Sequence, residues 1–102
     1  MKAIFKAALA GALVSFAVPV IAGDATAGEA AYNGKGCSGC HGPGGKSAAP
    51  SNPPLAGMPA VAFTQAMADY KSGTRKNGTM QAMSSMLSDA DVANMGAYLS
   101  AQ

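Results

Sequence analysis

Apolar residues recur at helical spacing in separate stretches of the chain. Val92, Met95 and Leu99 fall at i, i+3 and i+7, with Tyr98 alongside, which predicts a final helix. Ser88, followed three residues on by Asp91, resembles a capping box with Asp in place of Glu or Gln. Asp89 and Asp91 also suit the positive end of a helix. Val61, Phe63, Met67 and Tyr70 sit near helical spacing over residues 60–72, after Pro59 and before Gly73. An earlier helix is predicted over residues 24–33, capped by Asp24 or Thr26 and stopped by Gly34-Lys35-Gly36. On it Gly28 and Tyr32 lie four apart on one face, where a glycine lets another helix come close. That face is expected to meet the final helix. Between these helices, residues 42–58 and 74–79 read as loops, the first through Gly42-Pro43-Gly44-Gly45 and Pro50-Ser51-Asn52-Pro53-Pro54. A loop as long as the first needs a task or an object to wrap. No strand-like run of Val, Ile or Thr follows residue 23, so the pattern is all-α.

The first 22 residues carry a different pattern. Lys2 and Lys6 precede an uncharged run over residues 7–23, and Pro19 stands just before Val20-Ile21-Ala22. This is the layout of a secretory signal peptide, with cleavage expected after Ala22. As a membrane anchor the run of 17 residues falls short of the roughly 20 that span a bilayer. Residues 23–102 then form one small domain.

Removing the leader changes both charge and core. The 102-residue chain has 7 basic and 5 acidic side chains, but Lys2 and Lys6 leave with the leader. Lys35, Lys46, Lys71, Arg75 and Lys76 then balance Asp24, Glu29, Asp69, Asp89 and Asp91. No polybasic patch remains to bind nucleic acid or anionic lipid. The large apolar side chains left are Leu55, Leu87 and Leu99, Val61 and Val92, Phe63, three Tyr and six Met. Ordering such a chain costs on the order of 100 kcal/mol of backbone entropy. A domain this small seldom offsets that from its own core, so a bound group is expected to complete it.

Two cysteines in an exported chain would ordinarily pair. Here they are Cys37 and Cys40, and a disulfide across so short a loop removes little entropy from the unfolded state. A zinc site needs four ligands, and the chain has one His and two Cys. A dithiol redox site needs a βαβ framework, which the pattern lacks. His41 directly follows Cys40, and Cys37-Ser38-Gly39-Cys40-His41 is the attachment pattern of c-type haem. The two thiols reach the two vinyl groups on one porphyrin edge, and the adjacent imidazole binds iron as proximal ligand. With a single His, the far side of the iron is open or takes Met, Lys or a less common group. Met80, Met83 and Met86 cluster before the final helix, and on position alone Met80 and Met83 are not separated.

The chain resembles the class I c-type cytochromes, nearest to the small bacterial c-553, c5 and c4 kinds. The resemblance is carried by Gly28-x-x-x-Tyr32, by Cys37-Ser38-Gly39-Cys40-His41-Gly42, and by the proline segment from Ala49 through Pro53 and Pro54 to Leu55-Ala56-Gly57. It extends to Leu87-Ser88-Asp89 and Ala97-Tyr98-Leu99. Met58 and Pro54 depart from the family pattern. The resemblance implies a cytochrome c class I fold, with three to four short helices wrapped around one covalently bound haem c. It implies that Met80, seven residues before Leu87, is the distal ligand, with Met83 as the fallback, and that Pro53 offers its carbonyl to His41. The function implied is a soluble one-electron carrier of the periplasm. It would be a monomer, not an enzyme, with no stable membrane insertion after cleavage, and would dock transiently on redox partner proteins. The alternative is a haem c subunit of a periplasmic dehydrogenase complex, for example with a flavoprotein.

Overall fold

The computed structural model describes residues 23–102, and the leader expected over residues 1–22 lies outside them. The described chain is all-helical. It comprises α1 (Ala25–Gly34), α2 (Cys37–His41), a 3-10 turn (Pro43–Gly45), α3 (Ala60–Ser72), α4 (Gly78–Ser85) and α5 (Asp89–Ser100). No helix among the described residues is long and apolar enough to cross a membrane.

Helix α1 starts at Asp24, whose carboxylate accepts the Thr26 and Ala27 N–H groups and satisfies donors that a helix start leaves unpaired. The Asp24 N–H donates to the Asn94 side chain at 2.8 Å and ties the start of α1 to α5. The two helices cross at Gly28, where a Cβ would run into the Asn94 carbonyl and lie 2.9 Å from the Tyr98 Cβ. One turn further on, Tyr32 and Tyr98 pack with ring centroids 5.7 Å apart and planes tilted by 50°. The face expected from Gly28 and Tyr32 is therefore the one that meets the final helix.

Helix α5 opens with the capping box read from the sequence: Ser88 accepts the Asp91 N–H at 3.0 Å and the Asp91 carboxylate accepts the Ser88 N–H at 3.1 Å. That bond to the Ser88 backbone holds the Asp91 carboxyl below its ordinary range. Its contribution is present above the usual carboxylate pKa and is lost as the pH falls through the depressed value.

The core consists of Tyr32, Phe63, Met67, Leu87, Val92, Met95, Tyr98 and Leu99. Val61, grouped with Phe63 and Met67 by spacing, is 80% exposed instead. Two residues apart on a helix are about 200° apart around its axis, so Val61 and Phe63 cannot share a face.

Two helices were not legible in the pattern. Glycines at 36, 39 and 42 mask α2, and α4 begins inside the stretch read as loop. Its N-cap, Asn77, accepts the Met80 N–H at 2.9 Å, so Met80 lies in the first turn of a helix rather than after a loop. The long proline-bearing segment is pinned at two places. The Gly45 carbonyl accepts the Leu55 N–H at 2.7 Å and the Ala56 N–H at 3.1 Å, and the Gly57 N–H donates to the Leu99 carbonyl at 2.8 Å.

Candidate functional site

Helix α2 carries Cys37, Cys40 and His41 to the wall of a cleft of about 470 Å³. Both thiols are free. Three residues apart in a helix, they lie on neighbouring positions of one face. Burial pushes the Cys37 thiol up from its ordinary pKa. A dithiol oxidoreductase needs the opposite shift, toward thiolate.

His41 is fixed on its outer side. Its Nδ1 lies 2.8 Å from the Pro53 carbonyl oxygen. A carbonyl only accepts, so Nδ1 donates, and in the neutral imidazole this leaves Nε2 with its lone pair. The turn after His41 is held as well. Tyr32 is fully buried, and its hydroxyl donates to the Gly42 carbonyl at 2.7 Å. Gly42 has φ +83°, and a Cβ there would lie 2.6 Å from the Lys46 carbonyl oxygen, so only glycine fits.

Burial pushes the Tyr32 hydroxyl up to about 12 from 10.0. A folded pKa above the unfolded one gives stability that is present below pH 10 and lost as pH rises toward 12. Tyr32→Phe is expected to flatten that part of the stability–pH curve, read by denaturant unfolding at pH 9 to 12 (about). An unchanged slope would remove Tyr32 as its source.

The rest of the cleft is mainly apolar. Phe63, Met67, Leu87 and Met95 line it from the core, and α4 adds Met80 and Met83. Those two are half-buried, whereas Met86 is 55% exposed and does not line the cleft. Cys37, Cys40, His41, Pro53, Met80 and Met83 thus all border one cavity. Tyr70, Arg75, Ser51, Asn52, Asn77 and Thr79 also line it, and nothing in the sequence pattern marks them as site residues. Among the described residues no group of three or more His, Cys, Asp or Glu could hold a metal ion by itself.

The family model described as "Cytochrome C oxidase, cbb3-type, subunit III" matches residues 23–99. The chain belongs to the class I c-type cytochromes. A cytochrome c-554(548) of Halomonas halodenitrificans is 40% identical over 84 residues, which cover 79% of this chain and 99% of that protein. Cytochrome c4 of Azotobacter vinelandii is 41% identical over 92 residues, covering 79% of this chain and 42% of that one. Reduced recombinant cytochrome c4 from Pseudomonas stutzeri superposes with a TM-score of 0.72 at 37% identity, over 79% of this chain and 46% of that one. The chain therefore spans about half the length of the cytochrome c4 relatives or less, and nearly all of the Halomonas cytochrome.

This cytochrome binds haem c, and its residues fit the group. Two unpaired thiols three residues apart, an imidazole with Nε2 free, an apolar cleft and thioether side chains on a separate helix are the donor set that haem c requires.

Proposed function

We propose that the protein is an exported one-electron carrier. Cys37 and Cys40 would hold the haem by thioether bonds, His41 would bind iron through Nε2, and Met80 would supply the distal thioether. Haem, when bound, supplies a one-electron Fe(III)/Fe(II) couple. The observation that carries the reading is the convergence of α2 and α4 on a single apolar cleft with Nδ1 of His41 already committed to Pro53.

Each residue has a defined part. The Nδ1–H bond to the Pro53 carbonyl fixes the ring of His41 and raises the basicity of Nε2. Met80 offers a neutral, soft sulfur, which favours ferrous iron and raises the reduction potential. Phe63, Met67 and Leu87 give the cleft an apolar wall, and a low dielectric around a bound haem would penalise the extra charge of the ferric state. Were His41 and Met80 both to hold the iron, little room would remain for oxygen chemistry, which favours carriage of electrons over catalysis.

Docking is proposed to be brief and weakly charged. Residues 47–68 contain no Asp, Glu, Lys, Arg or His, and Ser38 and Gly39 of α2 and Met58 of the cleft wall are uncharged. Rates with redox partners are therefore expected to change only modestly between low and physiological salt. A steep salt dependence in stopped-flow measurements would show that charged residues steer the contact instead.

The function is tested by expressing the full chain with export and haem attachment. The product is expected to give a low-spin c-type absorbance spectrum, one haem per chain by pyridine haemochrome and a single one-electron wave. Gel filtration is expected to place it at the mass of one chain. Recovery of the haem in a much larger assembly would favour the subunit reading. A folded, colourless product would refute the haem-based function altogether.

A further inference from the structure

We infer that Tyr32 is a positioning residue for the proximal histidine: through the Gly42–Gly45 turn it sets how His41 and the Pro53 carbonyl face each other. The inference rests on the haem reading above and extends it to a residue outside the ligand set. His41 and Pro53 lie 12 positions apart, so their 2.8 Å bond is only as constant as the backbone that joins them.

That backbone is held by a relay of hydrogen bonds that starts at Tyr32. The Tyr32 hydroxyl donates to the Gly42 carbonyl at 2.7 Å, and Gly42 directly follows His41. The same carbonyl accepts the Gly45 N–H at 3.1 Å. The Gly45 carbonyl in turn accepts the Leu55 N–H at 2.7 Å, and Leu55 follows Pro53 and Pro54. The relay thus leaves the chain beside His41 and rejoins it beside Pro53. On the α2 side the Gly42 N–H donates to the Ser38 carbonyl at 3.0 Å, which ties the start of the turn to the attachment helix.

Two features make the relay stiff. Gly45 is buried at φ +77°, and a Cβ there would lie 2.8 Å from the Ala56 nitrogen and 2.9 Å from the Leu99 side chain, so the turn is wedged between the proline segment and α5. Tyr32 is fully buried, so its hydroxyl cannot exchange the Gly42 carbonyl for water without a large cost. Its ring packs on Tyr98, which joins the α1–α5 contact to the proximal side of the cleft. The consequence is electronic as well as mechanical. The bond from Nδ1 raises the basicity of Nε2, and a more basic ligand favours ferric iron. Tyr32 therefore tunes the iron from the proximal side, and loosening the relay raises the potential.

The test compares haem-loaded wild type with Tyr32→Phe, Tyr98→Phe and Ser88→Ala. Tyr32→Phe keeps the ring and removes only the hydroxyl. Tyr98→Phe removes the neighbouring hydroxyl, which lies beside Gly44 of the same turn rather than on the Gly42 carbonyl. Ser88→Ala breaks the capping box of α5 and lowers stability away from His41. The readouts are solvent exchange of the His41 Nδ1–H by NMR and the equilibrium reduction potential. Tyr32→Phe is expected to speed that exchange on the order of tenfold, the equivalent of one lost hydrogen bond, and to raise the potential. Tyr98→Phe and Ser88→Ala are expected to keep the wild-type potential. An unchanged potential in Tyr32→Phe, or an equal rise in either control, would overturn the inference and leave Tyr32 with packing alone. If Tyr32→Phe does not fold, the wild type decides. The Tyr32 hydroxyl proton and the His41 Nδ1–H, each corrected for its intrinsic exchange rate, must then report one shared opening equilibrium. A His41 bond that opens while the Tyr32 bond stays closed would overturn the inference. Wild-type protein that lacks haem absorbance would instead refute the underlying haem reading, a distinct result.

Discussion

Met80→Ala is expected to erase the weak Fe(III)–sulfur band at the red end of the spectrum and to lower the reduction potential. The drop should be on the order of a tenth of a volt or more, within the range of about 0.8 V that haem axial ligands command. Two methionines of α4 line the cleft, but they are not placed alike. Met80 occupies the first turn, where the Asn77 side chain holds its backbone N–H at 2.9 Å and so fixes the start of the helix that aims it. Met83 lies almost a full turn further on. Met83→Ala is therefore expected to keep the sulfur band, with at most a loss of packing. Absorbance of the ferric proteins decides the matter: loss of the band in Met83→Ala and its retention in Met80→Ala would move the ligand to Met83.

Gly28→Val is expected to cause a large loss of stability without changing any residue of the cleft. Where α1 crosses α5, a Cβ on residue 28 would enter the space of the Asn94 carbonyl, a backbone atom that cannot swing aside. Forcing added carbon atoms into a packed contact typically costs about 1–3 kcal/mol. For a domain of this size each kcal/mol lowers the midpoint by roughly 4–8 °C. Thermal unfolding of the ferric holoprotein is therefore expected to move down by about 10–20 °C, taking the upper part of that range. Gly34→Ala at the end of the same helix is the matched control, since nothing lies within 4 Å of a Cβ there. Equal midpoints for Gly28→Val and wild type would mean that α1 and α5 do not cross as described.

Much of this arrangement is legible in the chain itself, for identifiable reasons. The α1–α5 crossing is visible because a small residue four positions before an aromatic marks one helix face. The capping box at Ser88 and Asp91 is visible because it is a local bond between residues three apart. The attachment motif is visible because porphyrin chemistry dictates its spacing.

Other features are set by contacts that spacing does not encode. Helix α2 is five residues long and flanked by glycines, so nothing in its composition marks it as helical. Val61 looked like a core residue because it is apolar and near others, yet its angular position turns it outward. The place of Pro53 opposite His41 depends on how a long loop folds back, and came only through family resemblance. Tyr70 borders the cleft from the last turn of α3, and Arg75 from the connection that follows Gly73, which caps that helix at φ +82°.

The clasp between α1 and α5 joins residues as far as 70 positions apart. Closing so long a loop is favourable only when both partners are present to reward it. A polypeptide emerging from its amino end would thus expose the Cys37–Cys40 segment well before the last helix arrives. During that interval the two sulfurs stand on an open thread, within reach of whatever machinery forms the covalent bonds, and the arrival of α5 then shuts the shell over a finished product.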